Sequence, residues 1–317
     1  MVHWALLFFV LGSVSAAAVA PVPVVLDTDL GDDIDDTWAL AMLLGSPQID
    51  VKLIVTASDD TPAKTRLVAK ILEAMGRTDI PLATGVKNSD RPLNQAAWLG
   101  DYSLKNYKGK VIEDGIGALI DAIKSSPDRV TLCVIGPQTN IKAALERDKS
   151  IADNARVVLM AGSVYIGYEG KKTPDPEWNV FRDVAAARGV FAAPWEITMA
   201  PLDICGTLRL TGPRYAEVKD SKNARATATI LNYDAWTNRK QHPNDSSSIL
   251  FDTAASYLCF DETFMEMEMI KLSIDNKGST VPDEKGRPVR CAVRWKDRDA
   301  FEDLLVRALT EDAAKAK

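Results

Sequence analysis

The stretch Val24–Leu44, VVLDTDLGDDIDDTWALAMLL, places six aspartates (Asp27, Asp29, Asp32, Asp33, Asp35 and Asp36) within ten residues. Val24, Val25 and Leu26 form an apolar run after Pro21 and Pro23, which suits a buried strand. Gly31 interrupts it. From Thr37 the apolar spacing (Trp38, Leu40, Ala41, Leu44) becomes helical, and Gly45 and Pro47 end it. The acids therefore lie at the carboxyl end of a first strand and the start of a helix, the edge at which open α/β sheets bind ligands. A helix amino terminus tolerates carboxylates, but four of these acids exceed what capping needs. Carboxylates crowded this closely raise one another's pKa values or recruit a metal, and all-oxygen ligands favour a hard ion such as Ca²⁺ or Mg²⁺.

Outward from this stretch, strand-like and helix-like runs alternate. Strands are expected at 51–58, 81–86, 129–136, 156–162 and 197–202, and helices at 62–75, 115–125, 140–147 and 184–191. Such a succession predicts an α/β chain with an open, mostly parallel, Rossmann-like sheet and helices on both faces. Residues 211–256 read as mainly helical. Two further strands are expected at 267–274 and 288–295, around a loop with Gly278 and Gly286, before a last helix at 298–308. No repeat, low-complexity linker or composition shift divides the chain, so residues 21–317 read as one domain.

Composition narrows the partners. The chain has 317 residues, 46% of them hydrophobic, which is ample for a sizeable core. A net charge of −6 without a basic block argues against nucleic acid. Residues 1–20, MVHWALLFFVLGSVSAAAVA, resemble a secretory signal peptide, with a short apolar stretch at Trp4–Leu11 and an Ala-Val-Ala ending. A secreted or periplasmic protein without a membrane span is the expectation. Export would permit Cys133, Cys205, Cys259 and Cys291 to pair, but Cys133 falls inside the strand-like VTLCVIG, where a buried free thiol is common. No Cys-x-x-Cys spacing suggests zinc, and no essential disulfide is expected.

Four motifs in order resemble the inosine–uridine-preferring nucleoside hydrolase family. They are Asp27-Thr28-Asp29-Leu30-Gly31 followed by Asp35-Asp36; Gly136-Pro137-Gln138-Thr139-Asn140; Val158–Gly162 followed by Glu177-Trp178-Asn179 and Asp183; and Asp252 in LFDTAA. Asp32-Asp33 looks like an insertion between the halves of the first motif. The resemblance implies that fold from about Val24 to Leu309, with a small nucleoside or riboside as substrate. It implies Ca²⁺ at the pocket floor, held by Asp29, Asp36, Asp252 and the backbone carbonyl of Ile135. Asp35, Glu177 and Asn179, together with Asp252, would bind the substrate, and Asp29 would take a proton from the attacking water. Whether the chain forms a homo-oligomer is left open.

The departures fall on the leaving group. Where many members place a histidine before the aspartate matched by Asp252, this chain has Phe251, and its only histidines are His3 and His242. Some relatives stack the base between aromatic rings, and Trp98, Tyr102, Tyr233 and Trp236 are candidates here, Trp98 foremost. The family asparagine after the second strand corresponds to Asp59. Two other readings compete. One is a haloacid dehalogenase-type phosphohydrolase, against which Gly31 stands two places after the second aspartate. The other is an exported nucleoside- or sugar-binding protein without turnover.

Overall fold

The computed structural model describes residues 20–312; the expected signal peptide at 1–20 lies outside them but for Ala20. The chain runs β1 (Val22–Thr28), α1 (Asp35–Gly45), β2 (Ile49–Thr56), α2 (Thr61–Ala74), β3 (Leu82–Thr84), α3 (Ala96–Leu99), β4 (Val111–Ile112), α4 (Gly115–Lys124), β5 (Val130–Val134) and α5 (Thr139–Arg147). It continues through β6 (Ala155–Met160), α6 (Trp178–Arg182), α7 (Val184–Ala192), β7 (Ile197–Ala200), α8 (Leu202–Cys205), α9 (Gly212–Asp220), α10 (Ala224–Ala235) and α11 (Phe251–Leu258). Last come β8 (Met265–Ile274), β9 (Thr280–Pro282), β10 (Arg287–Trp295) and α12 (Arg298–Thr310).

All ten strands join one sheet in the order β4-β3-β2-β1-β5-β6-β7-β10-β8-β9. The ladders from β4 to β10 are parallel, and only the β10–β8 and β8–β9 pairs are antiparallel. Side chains alternate across each strand and feed two cores. Val24, Leu26, Cys133, Val158 and Met160 join α1, α2 and α9–α12 on one face. Val25, Leu132, Val134, Val157 and Leu159 join α4, α5 and α7 on the other. The predicted architecture therefore holds, with helices on both faces.

Several elements differ from the sequence expectation. β4 and β9, of two and three residues, carry too few side chains to show a period. The stretch 236–250, expected to be helical, is mostly irregular and includes one 3₁₀ turn, Arg239–Gln241. All four cysteines are free and buried. No helix among the described residues is long and apolar enough to cross a membrane.

Two features place the site. The chain steps from β1 outward to β4 and then returns to β5 on the other side of β1. That reversal opens a crevice at the carboxyl ends of β1 and β5. Beside it, α1 is wedged into the core: Trp38 packs on Tyr215 of α9 and Tyr233 of α10, with centroids 6.5 and 6.0 Å away. At its far end a Cβ on Gly45 would fall 1.8 Å from the Ala308 carbonyl, so only glycine lets α12 lie this close.

Candidate active site

The acids are set by the last turn of β1 and the first turn of α1. Thr28 Oγ1 accepts the Leu30 N–H at 3.1 Å and donates to Asp36 Oδ1 at 2.5 Å, folding the Asp-Thr-Asp turn back on the helix start. Asp27 is directed away from the crevice and accepts from Asn140 Nδ2 at 2.7 Å. The same amide donates to the Thr56 carbonyl at 3.1 Å and accepts from Val86 N–H at 2.8 Å. Asn140 thus ties together the ends of β1 and β2 and the loop after β3, which explains the second motif.

From α11, Asp252 approaches, and its N–H donates to Asp35 Oδ2 at 3.3 Å. Asp35, Asp36 and Asp252 are all buried, and each offers a carboxylate oxygen within 4.8 Å of the others. Burial pushes all three well above the usual carboxylate range, and neighbouring carboxylates push further. Burial likewise raises Asp29 to about 7, against the pull of Lys64. The trio differs from the expected ligand set. It contains Asp35, while Asp29 lines the same cavity outside it. The first turn of α1 brings both adjacent carboxylates, Asp35 and Asp36, within reach of Asp252 on α11.

The cavity measures about 260 Å³ and opens on one side, room for one small ligand. Asp29, Asp35, Asp36, Asp252, Ile135, Glu177 and Asn179, all singled out in the sequence, line it. Asn179 Nδ2 donates to the carbonyls of Ile135 and Met160, at 3.0 and 3.1 Å. Glu177 caps α6, accepting the N–H groups of Asn179 (2.7 Å), Gly162 (2.9 Å) and Val180 (3.3 Å). Burial raises its carboxyl to about 7 in spite of these donors.

Most of the outer wall was not foreseen, Phe251 being the exception. Arg91, Asn94, Tyr168, Trp178, Asn238 and Phe251 form it. Tyr168 meets Phe251 edge to face, with centroids 6.1 Å apart, and its hydroxyl accepts the Trp178 N–H at 2.8 Å. Trp178 is 41% exposed, with the Arg182 guanidinium 5.2 Å from its ring centroid. Its place between Glu177 and Asn179 was the one available signal.

Trp98, expected as a base platform, is not among the lining residues: its ring lies under the Lys70 ammonium, 4.7 Å from the centroid. Tyr102 donates to Glu73 at 2.6 Å. Tyr233 and Trp236 are core residues, and Trp236 spends its indole N–H on the Asp32 carbonyl at 3.2 Å. His242 stacks on Trp236 at 5.4 Å and lines no part of the cavity, and burial and two arginines lower its pKa. Asp59 is also used structurally: its carboxylate accepts from Ser89 at 2.6 Å and from Arg182 at 2.9 Å, which joins the loop carrying Arg91 to α6.

A donor set of buried carboxylates with raised pKa values fits a hard divalent cation, which would relieve their mutual repulsion. Comparison with known proteins agrees with the motifs. The chain is 28% identical over 313 residues to the inosine-uridine preferring nucleoside hydrolase of Leishmania major, covering 91% of this chain and 98% of that one. It is 29% identical to the enzyme of the same description from Crithidia fasciculata, covering 86% and 91%. The purine-preferring ribonucleoside hydrolase from Gardnerella vaginalis shares the fold, with a TM-score of 0.75 at 23% identity over 90% of this chain and 98% of that one. The profile described as inosine-uridine preferring nucleoside hydrolase matches residues 24–303, so the chain, a hydrolase, belongs to that family.

Proposed function

We propose that this protein hydrolyses the N-glycosidic bond of a ribonucleoside or related N-riboside, giving free base and ribose. The observation that carries the reading is the convergence of Asp35, Asp36 and Asp252 beside Asp29 in one cavity at the strand ends. The cation is read as Ca²⁺. Asp35, Asp36 and Asp252 would hold it, with Asp29 and the Ile135 carbonyl as further oxygen donors, and ribose hydroxyls or water would supply the rest of the six to eight that Ca²⁺ takes. When bound, it would orient the sugar hydroxyls and lower the pKa of a water.

The residues supply the rest. Asp29 accepts a proton from the attacking water, whose oxygen bonds to the anomeric carbon as the C–N bond breaks. The bonding pair leaves with the base nitrogen, which takes up a proton. Positive charge grows on the ribose meanwhile, and the surrounding carboxylates stabilise it. Glu177 and Asn179 hold the hydroxyls. Tyr168, Trp178 and Phe251 would pack on the base; among the described residues no histidine lines the cavity. Export after removal of residues 1–20, as a single domain, is part of this reading; amino-terminal sequencing of the mature protein tests it.

Chromatography of a ribonucleoside panel tests the chemistry. Free base and ribose in equal amounts support the reading, and Asp29→Asn must abolish them. The absence of histidine from the cavity among the described residues favours a second reading, a binder without turnover; it predicts bound, unchanged nucleoside. Release of inorganic phosphate from a phosphate ester, with no base freed, would instead indicate a phosphohydrolase.

A further inference from the structure

One buried charge has no part in that chemistry. Lys64 on α2 is fully buried. An ammonium has three N–H donors, and a lysine survives in an interior only when they are satisfied. Three oxygens face it: the Asp29 carbonyl at 2.9 Å, the Ala57 carbonyl at 3.2 Å and Asp32 Oδ2 at 3.2 Å. The two carbonyls belong to the residues that directly follow β1 and β2. The Ala57 N–H in turn donates to the Thr28 carbonyl at 2.8 Å. Lys64 therefore joins the two strand ends from below, at the residue whose side chain enters the cavity.

The first motif makes room for it. Gly31 has φ +126°, which side-chain-bearing residues rarely adopt, and a Cβ there would lie 3.3 Å from Lys64 Cγ and 3.1 Å from Leu93 Cδ2. The glycine thus serves the turn and the lysine stem together.

We propose that Lys64 is a positioning residue for hydrolysis: by gripping the Asp29 carbonyl it fixes the direction in which the Asp29 carboxylate projects. Two of its three donors go to the carbonyls that follow β1 and β2, so its grip falls on the backbone of Asp29 as well as on the Asp32 carboxylate. The inference rests on the role proposed above for Asp29.

The test uses the full chain with Ca²⁺ and a nitrophenyl riboside. It compares Lys64→Met/Asp32→Asn, in which both charges of the pair are gone, with Asp32→Asn alone. Melting temperature, Ca²⁺ affinity by calorimetry, KM and kcat are measured for each. Expected is a folded double variant whose Ca²⁺ affinity and KM stay within about threefold of Asp32→Asn, while kcat falls about tenfold or more, the scale on which small misplacements of a reacting group act. Lys64→Arg, which keeps the charge but not the three-oxygen geometry, should likewise lower kcat more than it raises KM.

Equal kcat in the double variant and Asp32→Asn would overturn the proposal, because the lysine would then serve only Asp32. Failure of the double variant to fold, or parallel loss of Ca²⁺ affinity, KM and kcat, would overturn it too, because Lys64 would then hold the fold rather than the base. An inactive Asp29→Asn beside a fully active double variant rejects this inference alone; an active Asp29→Asn rejects the base assignment beneath it.

Discussion

The two walls of the cavity are built in different ways. The inner wall, Asp29, Asp35, Asp36, Asp252 and the Ile135 carbonyl, stands on strand ends and helix starts and is buried throughout. The outer wall is assembled from loops and short helices, and two of its members, Arg91 and Trp178, are exposed. Rigid elements hold charges at fixed separations, as bond-breaking requires, whereas loops vary and set what is admitted. The difference assigns chemistry to the inner wall and choice of leaving group to the outer.

The comparison breaks if inner-wall changes act mildly. Asp29→Asn keeps the shape of the side chain and removes the base, so kcat should fall about 10²-fold or more, the usual worth of general base catalysis; near-normal turnover sinks the division. Removal of divalent cations by a chelator should abolish activity, and Ca²⁺ should restore it, add about 2.7 kcal/mol of stability at a hundred times Kd and so raise the melting temperature. Unchanged melting with and without Ca²⁺ would count against the inner wall as a cation site.

Outer-wall effects should be smaller and depend on the substrate. With Phe251 in the cavity wall and no histidine there among the described residues, a nitrophenyl riboside should show about tenfold or higher kcat/KM than inosine, since it needs little protonation. Trp178→Ala should raise KM for purine nucleosides several-fold, in line with about 0.5–1.5 kcal/mol for an aromatic contact, and leave kcat for the activated riboside nearly intact. Loss of kcat on both substrates would erase the distinction between the walls.

A further expected effect concerns pH, and acts on stability rather than on turnover. Burial raises Glu177 from 4.5 to about 7 in the folded chain. Between those values the folded state keeps a proton that the unfolded state has released. The stability so contributed is full below pH 4.5 and is lost as pH rises through about 7. Thermal unfolding in chelator should therefore decline more gently from pH 5 to 8 for Glu177→Gln than for the wild type, and parallel curves would refute this.

Legibility in the sequence follows the same division. The acid turn of the inner wall could be read because β1, the turn and α1 are contiguous, whereas Asp252 and the Ile135 carbonyl entered only through the family resemblance; the parallel architecture could be read because most strands are long enough to show a pattern. β4 and β9 escaped through brevity. The outer wall escaped because Arg91, Asn94, Tyr168 and Asn238 come from loops with no period or motif. Trp98 misled because an aromatic residue near a site has the same sequence signature whether it faces the ligand or packs under a lysine. Lys64 has no signature in the sequence, since nothing local announces a side chain sealed beneath a turn thirty-five residues earlier.

The seating of α1 has a consequence for biosynthesis. This helix, complete by Gly45, leans on Tyr215, Tyr233 and the backbone of Ala308. A nascent chain emerging amino terminus first thus displays its acidic turn and the apolar flank of α1 long before their partners have been translated. Only when α12 leaves the ribosome can α1 be fully covered, so the interval of greatest exposure to aggregation and to proteases lasts through the synthesis of every element between them.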